Sequence, residues 1–250
     1  MANSKLVDVV VKSPNHSGKR KNKVTRITPH CVVGQLTAEG IGSIFKTPAR
    51  EASSNYGIGK DGRIGLYVDE VNRSWCSSSR DNDNRAITIE CASDTKSPYA
   101  MKSAVYNSLV DLCADICKRY KKKKLLWLGS KEKTLSYTPK SDEMILTVHR
   151  WFAAKACPGD WLMSRMSKLA RDVTRKIGES GRMYRVQVGA YIKEENANKM
   201  RDRLRKDGYN SYVVKRNDLY RVQVGAFTKK SNAVALQKKL KKSGYDPIIV

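Results

Sequence analysis

An internal repeat near the end of the chain restricts its fold more than any other feature of the sequence. The string Tyr184-Arg-Val-Gln-Val-Gly-Ala-Tyr191 recurs 36 residues later as Tyr220-Arg-Val-Gln-Val-Gly-Ala-Phe227. In each copy an alternating strand leads to a helix that ends at a glycine, and a second strand follows. Two such β-α-β units predict one four-stranded sheet with two helices packed on one face. Because one copy has too little core to fold alone, we expect residues 183–250 to form one domain.

The preceding residues, 1–177, predict an α/β domain with a mixed central sheet flanked by helices. Apolar strands are expected at 31–33 and 86–90, and Asp61-Gly62 indicates a hairpin turn. Two helices with one apolar face are expected, from 100 to about 120 and from about 158 to 177. Residues 178–182 contain Gly and Ser and form the predicted linker between the domains.

The chain is strongly basic, with 49 Lys and Arg against 24 Asp and Glu and a net charge of +25. Such a field attracts polyanions, which include nucleic acid, anionic lipid and the acidic polymers of bacterial walls. No apolar run approaches the length of a membrane-spanning helix, so we expect no membrane insertion. The first residues also lack the cleavage site of a secretion signal. We therefore expect synthesis in the cytoplasm, followed by action elsewhere after release.

A small set of residues has the chemistry of a metal site. Of the three histidines, His16 lies in a polar loop, His30 closes a strand and His149 follows another strand, eight residues before Cys157. Two imidazoles and a thiolate match a catalytic zinc site, which has three protein ligands and an open position for water. This spacing alone is a weak motif, and two core histidines with an inert cysteine are the alternative. Without a signal peptide or a CxxC pair, the six cysteines predict no disulfide framework.

Five strings carry a resemblance that spans about residues 8–177. They are Ile27-Thr-Pro-His-Cys-Val-Val-Gly34, Glu51-Ala-Ser-Ser-Asn-Tyr-Gly-Ile-Gly-Lys-Asp-Gly62, Arg73-Ser-Trp-Cys76, Ala86-Ile-Thr-Ile-Glu90, and Thr147-Val-His-Arg150 with Cys157-Pro-Gly159. Together they resemble the type 2 N-acetylmuramoyl-L-alanine amidases, most closely the endolysins of phages and prophages of Gram-positive bacteria. The resemblance implies a peptidoglycan-recognition-type fold. It also implies hydrolysis of the amide bond between N-acetylmuramic acid and L-alanine in peptidoglycan.

The same resemblance implies a role for each candidate residue. His30, His149 and Cys157 are the implied ligands of one Zn²⁺ per chain. Glu90 is the implied activator of the attacking water, and Lys155 the implied stabiliser of the oxyanion. The chemistry agrees, because amide hydrolysis needs an acid/base group and a positive charge beside the developing oxyanion.

Two aromatic residues are candidates for contact with the substrate. Some relatives use a tyrosine to activate water where this chain has Ser54. Tyr56 shares the face of Ser54 by strict alternation, although packing within the strand is the favoured interpretation for it. Trp75 has two equally good interpretations, which are a residue lining the cleft and an ordinary half-buried tryptophan.

The repeat resembles the SPOR family, whose members bind peptidoglycan, typically glycan strands without stem peptides. The resemblance implies a sheet face that presents Gln187, Tyr191, Gln223 and Phe227 to sugar, with core packing of the two aromatic residues as the alternative. Residues 183–250 hold 16 Lys and Arg against 6 Asp and Glu, which suits an anionic wall. An RNA-binding sheet has a similar layout. Because the RNP1 signature is absent, we expect no nucleic-acid partner.

Three biological interpretations stay open at this point. The first is a phage or prophage endolysin that waits for a holin and then lyses its host. The second is a bacterial autolysin used for mother-cell lysis. The third is a degenerate, non-catalytic protein that binds wall or nucleic acid, against which the three intact ligand positions argue.

Overall fold

The computed structural model describes residues 2–179, 183–228 and 230–250, so residues 180–182 of the predicted linker lie outside it. The chain divides into two compact units, residues 1–177 and residues 178–250. Each unit has its own hydrophobic core.

The described part of the first unit has nine strands, seven of which form one mixed sheet. The nine strands are β1 (Val9–Val10), β2 (His16–Lys19), β3 (Arg26–Cys31), β4 (Tyr56–Ile58), β5 (Ile64–Leu66), β6 (Asn72–Ser74), β7 (Ala86–Cys91), β8 (Lys124–Leu126) and β9 (Glu143–Leu146). The seven-stranded sheet has the order β1-β5-β4-β7-β3-β9-β8, and β2 pairs with β6 separately. The expected α/β class and the hairpin of β4 with β5 are confirmed.

The helices of the first unit are α1 (Ala38–Ile44), α2 (Arg80–Arg85), α3 (Ser103–Arg119), α4 (Lys131–Ser136), α5 (Asp160–Met163) and α6 (Met166–Glu179), with short 3₁₀ turns at Pro48–Arg50 and His149–Trp151. Helix α3 buries the apolar face that its sequence predicts, including Val105, Leu109 and Ile116. Cys113 and Cys117 on the same helix are buried core residues.

Two expectations about element boundaries are wrong. The strand expected at 31–33 lies earlier, because β3 ends at Cys31 and Val33 adopts a left-handed φ of 57°. The helix expected over 158–177 is interrupted between α5 and α6. At the break, the carbonyl of Trp161 accepts hydrogen bonds from the side chains of Ser164 and Arg165, while the backbone N–H of Arg165 donates to Leu162. The i→i−4 hydrogen-bond pattern of a continuous helix is thereby lost at this carbonyl.

The centre of the sheet brings several strand ends to one edge. Strands β4, β7, β3, β9 and β8 are all parallel to their neighbours in this part of the sheet. On β3 and β7, His30 stands directly opposite Glu90. Because the carboxyl ends of parallel strands meet at one edge, residues that end or follow β3, β7 and β9 lie close together there.

The second unit contains β10 (Tyr184–Tyr191), α7 (Glu194–Lys206), β11 (Tyr212–Arg216), β12 (Leu219–Phe227), α8 (Lys230–Lys242) and β13 (Ile248–Ile249). Its four strands form an antiparallel sheet in the order β11-β12-β10-β13, as the repeat predicts. Both helices contribute to the same core, through Ala197 and Leu204 on α7 and through Ala233 and Leu240 on α8.

Glycines end the two helices of this unit in the expected way. Gly208 and Gly244 have φ values of 81° and 80°. The next residue of each repeat donates its backbone N–H back into the helix, Tyr209 to the carbonyl of Leu204 at 2.8 Å and Tyr245 to that of Leu240 at 3.1 Å. This is the Schellman arrangement, which satisfies carbonyls at the end of a helix.

The two repeats also brace each other through these tyrosines. The rings of Tyr209 and Tyr245 meet edge to face at 6.1 Å. The Tyr245 hydroxyl donates to the carboxylate of Asp207 at 2.5 Å, and the Tyr209 hydroxyl bonds to Ser243 at 2.7 Å. Neither repeat therefore completes its core without the other.

Among the described residues of the whole chain, no helix has the length and apolar character needed to cross a membrane.

Candidate active site

The three predicted metal ligands lie together at the carboxyl edge of the sheet. His30 is buried near the end of β3, His149 begins the turn that follows β9, and Cys157 lies just before α5. One ligand atom from each lies within 4.8 Å of the others. The Cys157 Sγ is 3.3 Å from the His30 Nδ1, and the two imidazole rings are 5.1 Å apart.

This donor set fits a zinc ion. Two imidazole nitrogens and one thiol leave a fourth tetrahedral position for water or substrate. Burial lowers the pKa of His30, and burial with the nearby Lys155 lowers the pKa of His149, so both rings are neutral and available as ligands at pH 7. The neighbouring Cys31 thiol and burial raise the pKa of Cys157, whereas a bound cation favours its thiolate. His30, Cys76 and Glu90 form a second set within the same distance, which shares His30 with the first.

Glu90 lies beside the imidazole of His30. Its Oε1 is 3.9 Å from the His30 Nδ1 and 3.8 Å from the Cys76 Sγ. Its Oε2 is buried without a hydrogen-bond partner. Burial raises the pKa of Glu90 to about 7, although the Cys76 thiol opposes that change. A carboxyl group with this pKa can both accept and return a proton near neutral pH.

Glu90, His149 and Cys157 line a cleft of about 630 Å³. Lys155 is exposed at its edge, and Arg50, Arg73 and Arg80 also line it. Trp75 forms part of the wall, where its Nε1 donates to the Ser17 hydroxyl at 2.7 Å. The cleft therefore combines potential metal ligands with four positively charged side chains. These charges suit a polar substrate that carries carboxylates.

The structure does not bring Tyr56 to this cleft. The Tyr56 side chain is fully buried in the core. Its hydroxyl donates to the Glu70 Oε1 at 2.6 Å and accepts the backbone N–H of Ser4 at 2.9 Å. Tyr56 is therefore a packing residue in this structure, and the prediction that it contacts the substrate is wrong. The physical reason is that its ring fills the interior beside Glu70, where no substrate can reach it.

Residues 20–160 match the model of the N-acetylmuramoyl-L-alanine amidase family, a stretch that covers more than half of the chain and includes the whole cluster of candidate ligands. The chain belongs to the N-acetylmuramoyl-L-alanine amidase family. Residues 180–250 of this amidase match the SPOR domain model.

Solved structures resemble separate parts of the amidase. The peptidoglycan-binding domain of the B. subtilis cell wall lytic enzyme CwlC is 37% identical, with 27% of this chain and 86% of that chain covered and a TM-score of 0.26. The hydrolase AmiA of Staphylococcus aureus is 16% identical, with coverages of 71% and 85% and a TM-score of 0.49. The endolysin amidase LysCS from Clostridium intestinale is 19% identical, with coverages of 60% and 86% and a TM-score of 0.43. No curated protein matches the chain.

Two residues of the amidase that contact the candidate site were not predicted from the sequence. Ser78 lies with its Oγ 3.0 Å from the His149 Nε2, and Cys76 contacts Glu90. The string Arg73-Ser-Trp-Cys76 pointed to this neighbourhood, since Arg73 and Trp75 also line the cleft. Ser78 had no such signal, because its position depends on α2, a helix that the apolar pattern did not predict.

In the SPOR domain, the four predicted sugar-binding residues have two different environments. Gln187 and Gln223 stand opposite each other on β10 and β12, and both are buried. Tyr191 and Phe227 are half-buried and pack against the core of the domain. Tyr212 stands opposite Gln223 on the next strand, and Ile248 stands opposite Gln187, so the four residues form a row across the sheet. The Tyr212 hydroxyl donates to the Gln223 Oε1 at 3.1 Å. Tyr212 and Ile248 are exposed, so this row presents apolar surface on either side of two amides.

Proposed function

We propose that this amidase is zinc-dependent and that His30, His149 and Cys157 hold one Zn²⁺ per chain. The observation that carries the proposal is the approach of their three ligand atoms to within 4.8 Å, directly beside the carboxylate of Glu90. We favour this set over His30, Cys76 and Glu90 because it leaves Glu90 free to move protons. Hydrolysis of an amide needs such a group in addition to the metal.

Zn²⁺ bound by these residues would polarise the scissile carbonyl and make water a better nucleophile at neutral pH. The residues of the chain supply the remaining requirements. Glu90 takes a proton from the attacking water and returns it to the leaving nitrogen of L-alanine, for which the unpaired Oε2 is available. Its pKa of about 7 matches both halves of that exchange.

Lys155 supplies positive charge where the oxyanion develops. It is exposed at the edge of the cleft, close enough to His149 to lower the pKa of that ring. A preorganised cation stabilises the negative charge that appears only in the transition state. Trp75 and the arginines of the cleft then bind the rest of the substrate, with the ring of Trp75 available to a sugar or an alanine methyl group.

For the SPOR domain we propose that the open face of its sheet holds the enzyme on peptidoglycan. The supporting observation is the row of Tyr212, Gln223, Gln187 and Ile248 across all four strands. The side chains of Tyr212 and Ile248 in this row are exposed, so they can contact a sugar ring. Tyr191 and Phe227 support this face from within the domain, where they pack against its core.

The biological role that we propose is that of a phage or prophage endolysin that lyses its host. This proposal rests on the endolysin-like strings between residues 27 and 159. Expression in a suitable Gram-positive host with and without a holin tests it. We expect lysis only when both proteins are present, and lysis without any holin would contradict the proposed route of release.

Chemical analysis of digested wall tests the proposed reaction. Cleavage between N-acetylmuramic acid and L-alanine releases one new L-alanine amino group for each bond and produces no reducing sugar. Purified sacculi are incubated with the wild type, with a Glu90→Gln variant and with buffer. New L-alanine amino groups in the wild-type sample alone support the proposal, whereas new reducing ends or amino groups of another residue would refute it.

A further inference from the structure

A short loop of residues 76–79 touches the candidate site at two points. The Cys76 Sγ lies 3.8 Å from the Glu90 Oε1. Two residues later, the Ser78 Oγ lies 3.0 Å from the His149 Nε2, with Ser78 in a left-handed conformation of φ 58°. One loop thus contacts both the proposed acid/base and one of the proposed ligands. The position of the loop consequently affects both groups.

The buried carboxylate of Asp83 anchors this loop. It accepts the backbone N–H groups of Cys76 and Ser77, both at 3.1 Å, and the Ser77 hydroxyl at 2.6 Å. Only 2% of Asp83 is exposed. Hydrogen bonds to a charged acceptor are stronger than neutral ones, so these three bonds hold the loop firmly in place.

Asn82, the residue before Asp83, ties the same loop to the strands that carry the histidines. Its Nδ2 donates to the Thr28 Oγ1 at 3.0 Å and to the Ser77 Oγ at 3.1 Å. Its Oδ1 accepts the Thr147 hydroxyl at 3.0 Å, and the two threonine oxygens are 2.7 Å apart. Thr28 precedes His30 by two residues, and Thr147 precedes His149 by two.

The hydrogen bonds of this network have one consistent direction. Because Asp83 is an acceptor, the Ser77 hydroxyl donates to it and accepts from the Asn82 amide. Thr147 donates to Asn82, so Thr28 donates to Thr147 and accepts the remaining proton of the amide. The side chains of Thr28, Asn82 and Thr147 are fully buried. Water does not replace a hydrogen bond that is lost at a buried side chain, so an unpaired donor or acceptor here would destabilise the folded state.

We propose that Asn82 is a positioning residue, which fixes the spacing of His30 and His149 and places Ser78 against the Nε2 of His149. Asn82 reaches no substrate and acts through the threonines and the loop. The inference rests on the proposed zinc site, because its consequence is the affinity for the metal. Loss of a partner outside the ligand shell typically weakens metal binding about 10–100-fold.

The test is the zinc affinity of two variants, measured by competition with a chromophoric chelator on the full chain. Asn82→Asp keeps the size of the side chain but replaces a double donor with an acceptor, and we expect zinc binding about 10–100-fold weaker. Ser78→Ala removes the contact with His149 from an exposed position, where folding is not at risk. For this variant we expect a smaller loss, and in the cobalt-substituted protein a shifted visible absorption band.

A matched control separates positioning from general stability. Asn55 is equally buried, and its amide donates to the carbonyl of Val68 while its Oδ1 accepts the backbone N–H of Thr88. Asn55→Asp should lower the melting temperature about as much as Asn82→Asp but leave the zinc affinity of the folded protein unchanged.

The outcomes are distinct. Wild-type zinc affinity in both Asn82→Asp and Ser78→Ala would overturn the inference while the proposed function stands. If Asn82→Asp does not fold, wild-type affinity in Ser78→Ala alone overturns it. An equal loss of zinc in Asn55→Asp would show that the effect is general destabilisation, which also overturns it. A wild-type protein that binds no zinc would refute the proposed function, and this inference with it.

Discussion

The two units differ in what they bury. The first encloses ionisable side chains such as His30, Glu70 and Asp83, each no more than 2% exposed. Among the described residues of the second unit, the buried polar side chains are the uncharged Gln187, Ser211 and Gln223. Burial away from water changes pKa values and strengthens interactions between charges, and catalysis depends on both effects. A binding surface has no such need, so the contrast indicates that hydrolysis belongs to the first unit and attachment to the second.

The sequence agrees with this division of labour, because no histidine or cysteine follows Cys157. The second unit therefore lacks the donors that zinc prefers. Its strong positive charge lies instead on helices such as α8, whose last turn carries Lys239, Lys241 and Lys242. Cations at helix C-termini also interact favourably with the helix dipole.

The largest effect that we expect inside the first unit comes from Glu90→Gln. This variant keeps the shape of the side chain but cannot move a proton, so turnover on muropeptides should fall about 10²–10⁴-fold. The zinc content should not change, because Glu90 is outside the proposed ligand set. Kinetics and elemental analysis of the same preparation measure both quantities. Wild-type turnover in Glu90→Gln would assign the acid/base role to another residue.

The burial of Glu90 also predicts a pH dependence of stability in the metal-free protein. Its pKa is raised from 4.5 to about 7 in the folded state. The folded chain therefore binds this proton more tightly than the unfolded chain, and the contribution of Glu90 to the free energy of unfolding should fall as pH rises from about 4.5 to about 7. The loss is on the order of 3 kcal/mol. The lowered pKa values of His30 and His149 change the stability of the wild type and of Glu90→Gln alike, so denaturant titrations should show the fall in the difference between the two proteins, and a difference that stays constant with pH would contradict the raised pKa.

Removal of the second unit should have a smaller effect, and only on insoluble substrate. A protein of residues 1–179 should cleave soluble muropeptides at close to the full-length rate. On intact sacculi it should be slower by about 10–100-fold, because binding by the second unit raises the local concentration of the catalytic unit at the wall. Residues 178–250 alone should sediment with sacculi, less so at high salt if charge contributes. Equal digestion of sacculi by the short and full-length proteins would leave the second unit without its proposed role.

The smallest effect that we expect concerns the brace between the repeats. Tyr245→Phe removes the hydrogen bond to Asp207 and should destabilise the second unit by about 1 kcal/mol. Tyr209→Phe removes the neutral bond to Ser243 and serves as a matched comparison with a smaller loss. Denaturant unfolding of residues 178–250 measures both values. The wall hydrolysis by the full-length variants should stay unchanged, since neither hydroxyl belongs to the proposed metal site or to the row of side chains proposed to bind peptidoglycan.

Much of this architecture could be predicted from periodicity and special residues. The repeat predicted the sheet of the second unit because its alternating strands and the glycines at 208 and 244 agree with each other. Helix α2, with the sequence Arg-Asp-Asn-Asp-Asn-Arg, could not be predicted in this way. Its buried residues are Asn82, Asp83 and Asn84, so a search for apolar periodicity does not detect it. The positioning network depends on that helix and was missed with it.

The candidate site shows the same limit. His30 and Glu90 were predictable as neighbours, since each lies near the end of an inner strand and parallel strands align their ends. Alternation alone placed Tyr56 as a candidate near them. It could not show that Tyr56 fills the core and bonds to Glu70, because that contact joins residues from separate turns of the chain.

Zinc content is the most direct test of the central claim, which is that three residues of the first unit form the metal centre. Wild type, His149→Ala and a Cys113→Ala control are purified without chelators and analysed for zinc per chain. Cys113 is a buried core thiol on α3, outside the cluster of ligands. The account predicts about one zinc per chain in the wild type and in Cys113→Ala, and almost none in His149→Ala. Equal zinc in His149→Ala and the wild type would contradict it.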